Sequence, residues 1–346
     1  MKKKSTILQI AAAYIGTVIG AGFATGKEIV EFFLEYGHAG LLGIALCGIF
    51  FTAAGTKIML ISHRNHFRSY EQLNRFLFGN KIGKVVNVIF LIVLLGTSSV
   101  MVSGTGSIFH EQLGWSSLLG VFVLLTLCFL TISKGISGIF AVNMVVVPIM
   151  LSFSFLAALF IFFAGPHASF SSSVSHSFSH GWWFSAVLYA SFNLATAQAV
   201  LVPLGGEIED ESALKAGGWL GGIGLTIILL TSFFVLSRLP EVFQYDIPMA
   251  EVVRVLGPLL HALYVVVIFG EIFTTVIGNV FGLTRQIDGW TRLPNSVVVL
   301  AVLTVCFFVS LVDFSVLLSN LYRLFGAIGI VVLAALVFRR LPRYTK

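Results

Sequence analysis

Between residues 7 and 338 the chain divides into ten long, sparsely charged apolar stretches: 7–35, 39–62, 83–109, 117–133, 138–165, 181–205, 214–237, 256–284, 294–312 and 314–338. About 20 apolar residues in a helix cross a hydrocarbon core about 30 Å thick. Barrel strands would alternate over about 10 residues, and these stretches are too long and too uniformly apolar for that. An all-α integral membrane protein of ten transmembrane helices is expected, forming a single domain over 1–346. Composition closes the other routes. Only 10% of the 346 residues are charged and 57% are hydrophobic, whereas a soluble domain carries about 25% charged residues. Such a chain cannot clothe a water-facing surface. A soluble enzyme, a nucleic-acid-binding domain and a disordered chain are excluded, despite a net charge of +6.

Sixteen of the 21 Lys and Arg residues fall into the loops of one side, among them Lys2 to Lys4, Arg64, Arg68, Arg75, Lys215 and Arg339. The opposite loops hold Arg238 and Arg254 alone. This bias places both termini and the basic loops in the cytoplasm of a cell whose inner membrane holds the chain. The basic start, Met1 to Lys4, resembles a signal peptide, but without a clear cleavage site the first stretch is expected to stay as a span. Tyr70–Leu77 has the pattern of a short amphipathic interfacial helix. Cys47, Cys128 and Cys306 sit in apolar runs without metal or redox spacing and are expected to be reduced core residues. His176 and His180, in the polar segment 166–180, lack further ligands, so no metal is expected.

The first and sixth stretches share a pattern. The first contains Gly16-Thr17-Val18-Ile19-Gly20-Ala21-Gly22-Phe23-Ala24-Thr25-Gly26-Lys27-Glu28; the sixth contains Asn193-Leu194-Ala195-Thr196 and then Pro203-Leu204-Gly205-Gly206-Glu207. Gly- or Pro-interrupted spans in corresponding positions of two halves mark an inverted repeat. Discontinuous helices 1 and 6 are therefore expected, with repeats of about 7–165 and 181–338. The competing reading of the glycines is close helix packing, through small-xxx-small pairs. A break exposes backbone groups that are tolerated only where they line a cavity, which puts a binding site near mid-membrane between the two spans.

The segment Ile15–Phe23 resembles the Gly-rich first helix of the amino acid–polyamine–organocation (APC) superfamily. Gly20-Ala21-Gly22-Phe23-Ala24-Thr25-Gly26-Lys27-Glu28 is similar, more closely, to the YkvI-type bacterial membrane permeases of that superfamily. The resemblance implies a five-plus-five inverted-repeat fold. It also implies secondary active transport, by symport or a related mode, of a small amino-acid-like or organic-cation solute. A non-transporting sensor or channel on the same scaffold is the alternative. Gly20, Ala21, Gly22, Asn193 and Thr196 are the expected substrate contacts, with Thr97 and Ser98 of the third span behind them. Sodium-coupled members of the fold use adjacent hydroxyls of span 8 with carbonyls of span 1, a role that Thr274 and Thr275 match; sodium is thus a candidate coupling ion. Proton-coupled relatives place a Lys in span 5, and Gly138–Gly165 holds no charge.

Charges inside a span cost about 2.5–3.5 kcal/mol each at the centre. Glu271 lies near the middle of span 8 and Arg323 at matching depth in span 10, which allows a buried ion pair or a proton-carrying role for Glu271. By position in the fold, Lys27 and Asp313 suit an outer gate. No cofactor is expected, and the partners are the lipid bilayer and a small solute, not nucleic acid. The Gly135-Ile136-Ser137-Gly138 run matches an intramembrane protease motif but falls in a turn, and no P-loop or zinc-protease motif is present, so no enzyme chemistry is expected.

Overall fold

A computed structural model of the protein describes residues 2–133, 181–239, 241–255, 257–288 and 293–341. Every regular element among them is helical. Six helices are long and apolar enough to cross a membrane: Ala39–Asn65, Tyr70–Gln112, Trp182–Glu207, Glu211–Leu236, Pro258–Thr284 and Phe314–Phe338. Three shorter apolar helices accompany them: Thr6–Val18, Ser117–Ile132 and Asn295–Val309. The expected fifth span, the histidines of 166–180 and the Gly-x-Ser-Gly run lie outside the described residues. Large apolar side chains such as Val266, Leu259 and Phe338 stand 68%, 73% and 85% exposed. Such exposure is untenable in water and ordinary against lipid tails.

The first stretch forms three short helices, α1 (Lys2–Val18), α2 (Ala21–Thr25) and α3 (Lys27–Phe32). Then come α4 (Ala39–Phe50) and α5 (Thr56–Asn65), joined through a π-turn at Phe51–Gly55. Such a turn shifts the hydrogen-bond register and frees carbonyls; the Phe51 carbonyl accepts from the buried Tyr14 hydroxyl at 2.7 Å. Helix α6 (Tyr70–Ser107) opens with a capping box, Ser69 and Gln72, and bends at Gly79, whose φ of 78° is left-handed. Its first turns are the amphipathic segment read from sequence. The remaining helices are α7 (Ser117–Ile132), α8 (Trp182–Glu207), α9 (Glu211–Leu236), α10 (Pro248–Arg254), α11 (Pro258–Asp288), α12 (Asn295–Val309) and α13 (Phe314–Phe338).

The polar groups gather at two ends. At one, Arg64 pairs with Glu211 at 2.7 Å, His63 meets the Ile208 carbonyl, Lys57 donates to the Val337 carbonyl and Arg339 lies over Phe76. At the other, Glu111 accepts from the Asp246 and Ile247 amides, Asp246 accepts from the Ser107 and Ser315 hydroxyls, and Gln112 bridges Glu251 and His261. The main hydrophobic core runs between the ends and draws on every helix from α1 to α13. The three cysteines are buried and free.

Helix α8 corrects one expectation. It runs unbroken from Trp182 to Glu207 with Pro203 inside it, so the sixth stretch is not discontinuous. Its glycines serve packing. A Cβ on Gly205 would stand 2.4 Å from the Met59 carbonyl oxygen, and one on Gly206 would stand 2.0 Å from that of Phe67. Asn193 and Thr196 fold their polar ends onto their own helix, at the Tyr189 carbonyl (3.0 Å) and at the Phe192 and Asn193 carbonyls (3.2 and 3.1 Å).

Candidate functional site: a cavity at the broken first helix

The break in the first stretch follows its glycines. Helix α1 stops at Val18, Gly20 is extended (φ −99°, ψ −178°), and α2 starts one residue later. The Gly20 amide turns back to the Val18 carbonyl at 2.9 Å, while the Gly20 carbonyl accepts from Phe23 and Ala24. Gly26, at φ 82°, then swings α3 into a new direction, a backbone shape that costs an L-residue about 1–2 kcal/mol. Thr25 braces the bend by donating to the Gly22 carbonyl at 2.8 Å.

A cavity of about 750 Å³ opens at this break. That size suits a small organic molecule. Its wall is made by Gly16 to Gly20 and Gly22 of the first stretch, Thr97 and Met101 of α6, and Phe192, Asn193 and Thr196 of α8. Glu271, Thr274, Thr275 and Asn279 of α11, Tyr322 of α13, and Glu28 complete it. Of the residues singled out in the sequence, Gly20, Gly22, Asn193, Thr196, Thr97, Thr274, Thr275 and Glu271 thus meet in one place. Ala21 begins α2 beside them. Ser98 does not line the cavity: its hydroxyl donates to the Leu94 carbonyl at 2.7 Å, inside its own helix. Thr97 also bonds to Leu94, yet accepts from Asn279 at 3.2 Å. Thr274 donates to the Glu271 carbonyl at 2.9 Å, which leaves its oxygen lone pairs free to face the cavity.

The expected charge pairs are not those the structure forms. Arg323 reaches Glu35 at 2.7 Å and Glu31 at 3.7 Å, not Glu271. Helical side chains lean toward the N-terminus of their helix, and a long Arg stem carries its head out of the apolar zone. Lys27 directs its ammonium to the Tyr245 carbonyl at 2.9 Å and the Phe243 carbonyl at 3.5 Å. Asp313 caps α13 by accepting from the Val316 amide at 3.2 Å. A Lys27–Asp313 gate is therefore absent from this conformation.

Sequence reasoning missed Glu28, Tyr322, Phe192 and Asn279. Glu28 follows the break in sequence, two residues after Gly26, in a separate helix, α3. The turn at Gly26 folds it back, so that a Cβ on Gly22 would stand 2.1 Å from Glu28 Oε1. The left-handed glycine was the available signal; the side chain it redirects was not legible.

These features define a class: a polytopic helical membrane protein with a solute-sized cavity at a broken helix. The chain shares its fold with the manganese transporter of Eremococcus coleocola, solved in complex with an aromatic bis-isothiourea-substituted compound (TM-score 0.62, 12% identity, covering 94% of this chain and 76% of that one). It is also similar to Mhp1, a nucleobase-cation-symport-1 family transporter in a closed conformation with bromovinylhydantoin bound (TM-score 0.57, 12% identity, 87% and 70% covered). No family model matches. The chain is 43% identical to the uncharacterized membrane protein YkvI of Bacillus subtilis, over 99% of this chain and 98% of that one, and 24% identical to YyaD of the same organism over 93% and 94%. It belongs to the YkvI family of membrane proteins. YkvI is a membrane protein, and both solved neighbours are transporters.

Proposed function

We propose that this protein is a secondary active transporter that carries a small amino-acid-like or organic-cation solute across the cell membrane by alternating access. The observation that carries the reading is the solute-sized cavity at the break between α1 and α2, with a few carboxylates and hydroxyls in a mainly apolar wall, set in a fold shared with two transporters. In this reading the full chain has ten spans in two inverted repeats, 7–165 and 181–338, with both termini cytoplasmic. The fold likeness, which covers 94% of the chain, supports that arrangement. The cavity wall draws on helices from both halves, so rocking one bundle against the other would expose it to each side in turn.

Sodium is the coupling ion we favour. Thr274 and Thr275 line the same cavity as the interrupted backbone around Gly20, and hard oxygen donors suit a small cation. Proteoliposomes holding the purified protein test both parts. Saturable uptake, accelerated by the same solute preloaded inside, is expected from a panel of amines, amino acids and nucleobases. Flux that rises linearly with gradient and shows no counterflow would mean a channel. Replacing sodium with choline should depress uptake. Thr275→Ala should raise the sodium concentration for half-maximal uptake about tenfold, equivalent to about 1.4 kcal/mol for one weakened ligand. Uptake indifferent to sodium but abolished by collapsing the proton gradient would rule sodium out.

A further inference from the structure

Two carboxylates stand in the cavity wall with no cation beside them. Glu28 is 4% exposed and Glu271 is 2% exposed. Oε2 of Glu28 and both carboxylate oxygens of Glu271 have no hydrogen-bond partner among the described residues. Both side chains line the same cavity. Among the described residues no Lys or Arg lines the cavity, and the neighbouring Lys27 is held by two backbone carbonyls. Every other acid near the broken stretch has a partner: Glu31 and Glu35 have Arg323, and Glu111 has two backbone amides.

Buried ionisable groups in a membrane pair with one another, with backbone or with cargo. Here the described residues supply no cationic partner, three of the four carboxylate oxygens have no hydrogen-bond partner, and the groups face a cavity. We propose that Glu28 and Glu271 together recognise the positive charge of an organic cation, an amine or quaternary ammonium compound that carries no carboxylate of its own, an inference that rests on the transporter reading above. A zwitterionic solute would bring a third negative charge to a wall without Lys or Arg. A resident metal ion would want further ligands, and the described residues hold no group of three His, Cys, Asp or Glu. The aromatic pair Phe192 and Tyr322, with ring centroids 4.4 Å apart, lines the same cavity and offers faces to a cation's apolar shell.

Protons compete for the same oxygens, so affinity should fall as pH falls, by up to about tenfold per unit for each proton displaced. The groups facing the pair are Tyr189 of α8 and Tyr322 of α13 beside Glu28, and Tyr264 of α11 beside Glu271. Phenols with an ordinary value near 10 are uncharged at neutral pH, so the carboxylates are the titrating pair.

The test is calorimetric titration of the purified full chain with tetraethylammonium and phenylethylamine, beside alanine, uracil and manganese chloride. The organic cations should bind, more weakly at low pH, while alanine and uracil give no heat. Glu28→Gln and Glu271→Gln should each weaken binding at least about tenfold, and Glu271→Asp, which keeps the charge, should retain it in a monodisperse protein. Binding of alanine or uracil that survives both Gln variants would overturn the assignment, as would manganese binding with inert organic cations. Saturable exchange in proteoliposomes that ignores both Gln variants would sink this assignment and leave the transporter reading standing. Carboxylate-dependent binding without any exchange would do the reverse.

Discussion

Two glycines separated by one residue do different work at the break. Around Gly20 a Cβ would meet nothing within 4 Å, and its φ of −99° is open to any residue. Gly22 lies under the Glu28 carboxylate, where a Cβ would collide with Oε1. Gly20→Ala should therefore leave the melting temperature at or slightly above wild type, because the smaller entropy of the unfolded chain favours folding by about 0.4–1 kcal/mol. Gly22→Ala should push Glu28 off its position and weaken solute binding, while overpacking lowers stability by about 1–3 kcal/mol. Parallel thermal unfolding and binding titrations of the two variants decide this. Equal effects would mean that Glu28 is not held by the bend.

At the scale of elements, the first and sixth stretches looked alike in sequence and fold differently. The chain breaks at Gly20 but α8 continues through Pro203 to Glu207. Pro203 removes one donor from the helix ladder, and an unbroken neighbouring geometry predicts that Pro203→Ala restores that bond. Its melting temperature should match or exceed wild type with solute exchange intact; lost exchange would show that a weakened ladder at this point is needed. Gly206→Leu should be the damaging change, because the Phe67 carbonyl oxygen occupies the space a side chain needs. The reason the sequence did not separate these cases is physical. A glycine that frees φ and a glycine that admits a neighbour's backbone both consist of an absent Cβ, and only the distant neighbour, Phe67, tells them apart. The apolar stretches were legible because length and hydropathy are local. That Gly20, Asn193, Thr97 and Thr275 line one cavity agrees with the expected site between the first and sixth stretches, whereas Glu271 was read against Arg323 and joins them instead. Glu28 and Arg323 were not legible, since their side chains are aimed by a turn and by a helix tilt that local pattern does not encode.

Across the whole molecule, the charges that span the sequence collect at two opposite ends. Arg64, Glu211, Lys57 and Arg339 mark one, and Glu111, Asp246, Glu251 and Arg254 mark the other. A membrane must lie between them, because the apolar side chains exposed along α7, α11 and α12 have no other solvent. The fold alone does not say which end faces the cytoplasm; Arg68, Arg75 and Lys215 lie with Arg64 and Arg339, and a positive-inside bias makes that end the one expected in the cytoplasm. Arg68 and Gln244 are exposed, one at each end, and Cys47, Cys128 and Cys306 are buried, so the natural thiols should contribute little background. In intact cells, an impermeant maleimide should label Gln244→Cys directly and Arg68→Cys only after permeabilisation. The reverse pattern would turn the molecule over in the membrane and place the Arg64–Glu211 pair outside. Labelling of both from one side would contradict the bundle itself, because a chain whose two charged ends share a face of the bilayer could not bury its apolar belt.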